Sequence, residues 1–279
     1  MRKYEDSVNI KIGNICVSIT TESKDILERV KLHYKDFISH SNPNLFINVR
    51  YGSFPKPHFK EVIYRTRLWK LGKQGRNFIL YFPRKNKASL AKFNNAFNRI
   101  VLYTENSTGQ LLLYLLPEIL FSLILPQKDA LLLHACGILE NKKGYIFVAP
   151  SGGGKSTIAK LAGYRTLLND DRVIICREKK FFKMHGTPWH GEVKETSNQS
   201  AYIDSIFFLQ KAEKNYILPL QATQAMVKLL GNIFYLPISD DIRKNVFDLC
   251  YRMINRLRCY EFGFKPDKSI WRCLNGLSK

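Results

Sequence analysis

The residues best suited to chemistry lie in the segment AlaProSerGlyGlyGlyLysSerThr, at 149–157. An apolar run of strand length over 144–149 leads into it, and a run of helix formers follows it and ends at Gly163. A strand, a glycine-rich loop and a helix in this order form the context of a phosphate-binding loop. Three successive glycines let backbone N–H groups turn inward without Cβ clashes, and the new helix directs its positive end at an anion.

This spacing predicts a role for each residue of the loop. We expect Lys155 and the loop amides to hold phosphate oxygens, and the Ser156 hydroxyl to hold Mg²⁺. The usual leading glycine is replaced by Ala149, a change that the pattern commonly accepts. The competing interpretation is an ordinary glycine-rich turn in front of a helix. The expected nucleotide-binding residues are Ser151, Gly152, Gly153, Gly154, Lys155, Ser156 and Thr157.

A second group of polar residues lies in the apolar run 165–177. The run predicts a buried strand that carries Asn169, Asp170 and Asp171. Burying two carboxylates costs several kcal/mol unless a cation or hydrogen bonds compensate them. Mg²⁺ supplies such compensation in a nucleotide site, which favours a role beside the glycine loop. The alternative is a turn that happens to contain aspartates.

Histidines and one glutamate complete the candidate set. His134 lies in the middle of an apolar, strand-like run, where a lone histidine is most often a core residue. The segment HisGlyThrProTrpHisGlyGlu, 185–192, predicts a rigid turn, because it holds two glycines and a proline. From this turn Glu192 could reach a metal ion and His190 a transferred phosphate. The alternative is a structural loop packed by Trp189.

Composition limits the class of protein. The 279 residues are 45% hydrophobic, enough to build a core in one large domain or two small ones. The net charge of +21 suggests an anionic partner, although the basic residues are spread out and a solvated basic surface is the alternative. No CxxC pair and no apolar N-terminal segment occur, so we expect a cytoplasmic protein without a membrane partner. No nucleic-acid-binding motif occurs either, so we expect no nucleic-acid partner.

The elements that must position these residues divide the chain at 128/129, and the expected fold class is α/β. Residues 1–128 predict a mixed, β-rich N-terminal region that serves as an accessory or substrate-recognition part. Its elements are a hairpin over 7–20, a helix over 25–40, strands over 45–52, 62–72, 76–83 and 100–105, and a buried helix over 111–125. Residues 129–279 predict the domain that carries the loop. Its further elements are a strand over 130–139, strands over 202–210 and 215–220, and helices over 222–234 and 241–257, the first of them capped near Gly231. Residues 259–271 predict a last strand and a closing segment.

Three segments together resemble the catalytic domain of the HPr serine kinase/phosphorylase family: LeuLeuHisAlaCysGlyIle, the loop at 149–157, and LeuLeuAsnAspAspArgVal. The chain is also similar to the shorter HPr-kinase-like proteins of peptide-modification clusters, such as lasso-peptide precursor kinases, which carry a segment like 185–192. The resemblance is good over 130–195. It implies a P-loop kinase core of the HPr kinase/phosphoenolpyruvate carboxykinase type.

The resemblance also implies an activity, with ATP and Mg²⁺ as cofactors. It implies transfer of the γ-phosphoryl group to a serine hydroxyl of a peptide or small protein, such as a lasso-type precursor peptide, by an enzyme that could form homo-oligomers. Asp170 matches the general base toward the acceptor serine, Asp171 a metal or lysine partner, and His134 an orienting or electrostatic group. The implied metal set is Ser156, Asp171 and Glu192.

The chain departs from the family at one point. The Glu-x-Arg-Gly segment that HPr kinases carry beyond the aspartates is absent from the sequence, which speaks against HPr as substrate and against reverse phosphorolysis. The alternative functions are a P-loop ATPase or regulator without a hydroxyl acceptor, and a kinase that acts on HPr or free serine. An ATPase would use a water-orienting Glu or Gln and an arginine finger, whereas this chain offers Asp170 and His134. Arg172 is a candidate for phosphate contact, or a charge at a strand edge.

Overall fold

The fold is known from a computed structural model, which describes residues 6–54, 56–75, 77–83, 88–105 and 109–276. The chain forms two compact units, Met1–Leu120 and Phe121–Lys279. The division lies before the boundary at 128/129 that the sequence suggested, inside an apolar helix. The α/β class is confirmed, because each unit combines a mixed sheet with helices.

The first unit is a mixed sheet of eight strands with order β1-β2-β3-β8-β7-β6-β5-β4. One face of the sheet is covered by the helix α1, whose Ile26, Leu27 and Val30 are buried. The strands and the helix are β1 (Asp6–Ile12), β2 (Ile15–Thr21), α1 (Lys24–His33), β3 (Leu45–Tyr51), β4 (Glu61–Arg65), β5 (Lys70–Gln74), β6 (Asn77–Phe82), β7 (Ser89–Phe93) and β8 (Arg99–Thr104).

Several predictions for this unit are confirmed and two are wrong. The hairpin over 7–20 is the antiparallel pair β1–β2. The helix over 25–40 ends early at His33 and is followed by a short 3₁₀ turn, Lys35–Phe37. The single strand over 62–72 is two strands, because the Thr66 hydroxyl accepts hydrogen bonds from the amides of Leu68 and Trp69 and closes a turn. Arg76, at the start of the strand expected over 76–83, lies outside the described residues.

The apolar run 111–125 is helical but broken in two, α2 (Gln110–Leu113) and α3 (Leu115–Ile124). Pro117 explains the break, because a proline ring clashes with the carbonyl four residues earlier, here that of Leu113. The buried Tyr34 hydroxyl donates to the carbonyl oxygens of Leu112 and Leu113, at 2.9 and 3.0 Å, and so satisfies acceptors at the end of α2. In the described part of the chain no helix is long and apolar enough to cross a bilayer.

The second unit is built on a nine-stranded sheet. Its path β10-β9-β12-β13-β14 closes on itself, because β10 also pairs with β14 in parallel, and β17 and β15 extend the sheet beyond β14. The strands are β9 (Ala130–Glu140), β10 (Lys143–Val148), β11 (Thr166–Asn169), β12 (Arg172–Glu178), β13 (Phe181–His185), β14 (Ser200–Lys211), β15 (Tyr216–Pro219), β16 (Ile233–Phe234) and β17 (Arg258–Phe264). The helices are α4 (Lys155–Lys160), α5 (Ala222–Leu230), α6 (Asp240–Ile254) and α7 (Ile270–Gly276).

Alternating side chains of these strands pack into two hydrophobic cores, one on each face of the sheet. On β10, Ile146 and Val148 join the core that α5 and α6 cover, whereas Phe147 joins the core that α4 and α7 cover. This period of two is what a strand with both faces buried requires. The strand that leads into the glycine loop is therefore fixed from both sides.

One prediction for this unit needs correction, and two are confirmed with refined bounds. The run 165–177 is two strands, β11 and β12, and Asp170 and Asp171 lie in the bend between them rather than within one strand. The helix expected within 222–234 ends at Leu230 and is capped at Gly231, as predicted, whereas Ile233 and Phe234 form the short strand β16 against β9. The last strand expected at 259 is β17, and the closing segment after it leads into helix α7.

Candidate functional site

The glycine loop joins the end of β10 to the start of α4. Gly152 and Gly154 adopt left-handed backbone conformations, with φ of 76° and 103°, which non-glycine residues rarely tolerate. A Cβ on Gly153 would lie 2.6 Å from the Cβ of Ala149, and a Cβ on Gly154 would overlap the Phe264 ring. Each of the three glycines is therefore required by the backbone or by a close neighbour.

Lys155 is folded back onto the loop. Its Nζ donates hydrogen bonds to the carbonyl oxygens of Ala149 and Pro150, at 2.9 and 3.2 Å. Burial lowers the pKa of this ammonium group, while the nearby Asp171 carboxylate acts in the opposite direction. The positive charge is thus held at the mouth of the loop by neutral acceptors that an anion can replace.

Asp170 connects the loop to two other segments. Its side chain is completely buried, and its Oδ2 accepts a hydrogen bond from the Ser156 hydroxyl at 3.1 Å. The backbone amide of Gly191 donates to Oδ1 at 2.7 Å, and the amides of Glu192 and Val193 donate to Oδ2 at 3.0 and 3.1 Å. Four donors therefore compensate the buried carboxylate.

The bend that carries the two aspartates is built by Asn169, which is itself fully buried. Its Oδ1 accepts hydrogen bonds from the amides of Asp171 and Arg172, both at 2.7 Å, the pattern of an asparagine turn. Its Nδ2 donates to the carbonyl oxygens of Thr187 and Trp189. One side chain thus ties the aspartate bend to the 185–192 segment.

Asp171 has different partners from Asp170 and pairs with His134. The His134 Nε2 lies 2.9 Å from Oδ1 of Asp171, and the guanidinium group of Arg172 contacts Oδ2. Burial alone would raise the pKa of Asp171, but the hydrogen bond from His134 and the charges of Arg172 and Lys155 outweigh it and lower that pKa. Asp171 is therefore an anionic partner for the imidazole ring.

A cavity of about 300 Å³ lies over the loop and brings most of the predicted residues together. Asp170 is not among the residues that line it. The lining residues are His134, Ser151, Gly152, Gly154, Lys155, Ser156, Thr157, Asp171, Gly191, Glu192 and Lys211. The imidazole–carboxylate pair, Lys155 of the loop and Lys211 of β14 therefore share one space.

The 185–192 segment is both a packed structural loop and part of the cavity wall. Trp189 is buried and packs edge-on against Phe121, as in a structural loop, while Glu192 lines the cavity. The Glu192 carboxylate is bound to Lys160 at 2.9 Å, and His190 is exposed with its Nδ1 3.1 Å from the carbonyl oxygen of Gly191. Among the residues that the structure describes, no group of three or more His, Cys, Asp or Glu side chains is arranged to hold a metal ion.

Sequence reasoning missed Lys211 and Gly191. Lys211 is the last residue of β14, which runs parallel to β10, and Val148 at the end of β10 pairs with Phe208. The carboxyl ends of parallel neighbours meet at one edge of a sheet, so Lys211 lies beside the loop. The signal in the sequence, a lysine directly after an apolar strand, becomes useful only once the strand order is known.

Comparison with known protein families shows where the chain belongs. No curated protein matches the chain. Residues 107–264, more than half of the chain, match a family described as "ScmC: SynChlorMet cassette protein ScmC", and the matched part contains the glycine loop, the aspartate bend, the 185–192 segment and Lys211. The chain therefore belongs to the SynChlorMet cassette protein ScmC family.

Proposed function

We propose that this protein is an ATP- and Mg²⁺-dependent kinase that transfers a γ-phosphoryl group to a serine hydroxyl of a peptide or small protein. The observation that carries the proposal is the shared cavity, which is lined by Lys155 and Ser156 of the loop and by the pair His134 and Asp171. A phosphate-binding loop alone fits any nucleotide-binding protein. An imidazole–carboxylate pair beside it adds a proton acceptor for a hydroxyl nucleophile.

The loop residues fit the phosphates of a nucleotide. The Lys155 ammonium would exchange its contacts with the Ala149 and Pro150 carbonyls for phosphate oxygens, and the amides of 152–157 would supply further donors. Lys211 at the rim of the cavity adds a second cation. When bound, ATP supplies the phosphoryl group and Mg²⁺ offsets the negative charge of the phosphates.

The fit to Mg²⁺ is best for Ser156. Its hydroxyl donates a hydrogen bond to Asp170, so its oxygen lone pairs remain free for a cation. Asp170 then acts as the group that orients this ligand, as outer-shell carboxylates do. The two other metal ligands implied by the resemblance are less free, because Asp171 contacts His134 and Arg172, and Glu192 contacts Lys160.

The same geometry favours a different proton acceptor from the one that the resemblance implied. Asp170 is buried, lies outside the cavity lining and already accepts four hydrogen bonds. The pair of His134 and Asp171 lines the cavity, and the anionic Asp171 would stabilise the imidazolium ion formed when the ring takes a proton. We therefore propose the His134–Asp171 pair as the general base, with Asp170 as a positioning residue.

The test is transfer from γ-labelled ATP to candidate acceptors. Because the family is described as a cassette protein, the first acceptor to test is a peptide encoded in the same cassette, with free serine, HPr and a reaction without acceptor alongside. Label in the peptide, lost when its serines are replaced by alanine, supports the proposal. If inorganic phosphate is released rapidly and at the same rate with and without every acceptor, the protein is an ATPase and the kinase proposal is wrong.

A further inference from the structure

The sheet of the first unit has one covered face and one open face. Residues of β2 and β3 that pair in register, such as Val17 with Leu45, are buried on the side of α1. Their sequence neighbours, such as Phe46, point to the other side, where Phe46 is 41% exposed. We define the open face as the exposed and half-buried residues of this side: Ser7, Asn9 and Lys11; Thr20; Phe46, Asn48 and Arg50; Arg99, Val101 and Tyr103; and Lys92. Cys16, Ser18 and Leu90 lie on the same side but are buried.

The charges on the open face have one sign. Its four charged residues, Lys11, Arg50, Lys92 and Arg99, are all exposed, and none of its residues is an aspartate or glutamate. Over the described ranges of the chain, none of the four forms an ion pair with a carboxylate. A cluster of cations without counter-charges raises the local positive potential and favours an anionic partner.

Aromatic rings hold the two guanidinium groups. Arg99 lies over the ring of Phe46, with its Cζ 5.5 Å from the ring centre, and Arg50 lies over Tyr103 at 6.0 Å. The Nε of Arg50 also donates to Oδ1 of Asn48 at 3.2 Å. Such contacts reduce the motion of each guanidinium group, so less conformational freedom is lost when it binds a carboxylate in two-pronged fashion.

The contacts between the arginines and the aromatic rings favour an acidic peptide over single-stranded nucleic acid as the partner. Single-stranded nucleic acid binds open sheets by stacking its bases on exposed aromatic rings. Here Phe46 and Tyr103 already have a guanidinium group over them. Carboxylates need only the outward N–H groups of the arginines, so an acidic peptide is the better fit.

We propose that the open face binds an acidic segment of a peptide in extended conformation. The two arginines face Phe46 and Tyr103, and in register Arg50 pairs with Tyr103 and Arg99 with Phe46, so they lie four residues apart along adjacent strands. At about 3.3 Å per residue this spans about 13 Å, the distance between carboxylates at positions i and i+4 of an extended chain. That the segment belongs to the phosphate acceptor rests on the proposed function, whereas the binding itself does not.

The test is fluorescence anisotropy with the full chain and no ATP, at low and at physiological salt. The probe is a fluorescein-labelled (Glu-Ser)₆ peptide, and the comparison ligands are (Gln-Ser)₆ and a twelve-nucleotide oligouridine. We expect (Glu-Ser)₆ to bind more tightly than both, and the double variant Arg50→Gln/Arg99→Gln to weaken it about tenfold. The matched control is Arg252→Gln/Arg256→Gln, which removes two exposed arginines of the second unit and should change binding by less than about twofold.

Three results would overturn the proposal: equal binding of (Gln-Ser)₆, an equal loss in the control variant, or tighter binding of the oligouridine that the double variant abolishes. Lys11→Gln/Lys92→Gln guards against a folding defect, because these lysines are exposed, and it should also weaken (Glu-Ser)₆ binding. An inactive kinase leaves the anisotropy result unchanged. An unchanged KM for the acceptor peptide in Arg50→Gln/Arg99→Gln would separate this face from phosphoryl transfer.

Discussion

The hydroxyl of Ser156 donates a hydrogen bond to Oδ2 of Asp170 over 3.1 Å, and this contact joins the glycine loop to the bend between β11 and β12. The same carboxylate accepts the amides of 191–193. One buried side chain therefore connects the three segments that carry the candidate site. The glycine loop, the aspartate bend and the 185–192 segment, which are separate in the sequence, are therefore held together by the Asp170 carboxylate.

Replacing Asp170 with asparagine should destabilise the protein by about 2–4 kcal/mol, because an NH₂ donor would then face backbone amide donors in a site without water access. Urea unfolding measures the change. Ser156→Ala removes only one of the four donors and should cost about 1 kcal/mol or less, while it alters the Mg²⁺ dependence of transfer. Wild-type stability of Asp170→Asn would show that the carboxylate network contributes little.

Replacing Lys155 with methionine should weaken ATP binding about 10- to 100-fold, because it removes a charge-assisted contact with phosphate while it keeps the buried stem. Titration with a fluorescent ATP analogue measures the loss. The control is Lys160→Met in the same helix, whose Nζ is exposed and bound to Glu192. Similar affinity of both variants would exclude the glycine loop as a nucleotide site.

Replacing His134 with glutamine should slow phosphoryl transfer about 10²- to 10⁴-fold, while ATP affinity changes by less than about twofold. Single-turnover quench measurements separate the two effects. Asp171→Asn should give a similar loss, and the double variant should be no worse than the slower single variant, since the two residues act as a unit. Independent, multiplying losses would argue against a shared role.

The pKa of Asp171 also predicts how stability depends on pH. Because that pKa is lowered on folding, the ionised carboxylate stabilises the folded state at all pH values above its unfolded pKa. This stabilisation is lost as the pH falls through the folded pKa, which lies below 3.8. We expect Asp171→Asn to reduce Tm at neutral pH and to flatten its decrease in acid, as calorimetry would show. An unchanged acid limb would contradict this.

Replacing Gly154 with alanine should abolish ATP binding without unfolding the protein, because a Cβ there would overlap the Phe264 ring at a φ of 103°. Nucleotide titration and circular dichroism together test this. Gly163→Ala is the control, since Gly163 also has positive φ, 66°, but has no atom within 4 Å of its would-be Cβ. Equal effects of both substitutions would show that backbone strain, and not the Phe264 contact, decides the result.

Local features of the site were predictable from the sequence. The strand β10, the glycine loop and the helix α4 follow each other as the motif requires, because apolar periodicity and glycine spacing act over a few residues. The hairpin β1–β2 was predictable for the same reason. In each case neighbouring residues alone determine the conformation.

The aspartate bend was the less favoured of two interpretations of its sequence. Apolar residues on both sides of Asn169 indicated one continuous strand, whereas the Asn169 side chain turns the chain by bonding two following amides and two distant carbonyl groups. Its partners at 187 and 189 come from a segment that no local pattern connects to it. The different partners of Asp170 and Asp171, and hence their different proposed roles, follow from that bend.

The position of Lys211 in the site was also not predictable from the sequence. Its position beside the loop depends on the parallel pairing of β10 with β14, two strands far apart in the chain. Parallel pairing needs a long connection and leaves no short-range signal. Only the strand order reveals that this lysine shares a cavity with Lys155.

The ring of Phe264 lies directly under Gly154, and β17 ends at that residue. The glycine loop thus packs against a residue that lies more than 100 positions later in the chain. A fragment that stops before Phe264 would contain the whole loop sequence but would lack the ring against which Gly154 packs. The family match also ends at residue 264, so an excised domain intended to bind nucleotide should extend at least that far.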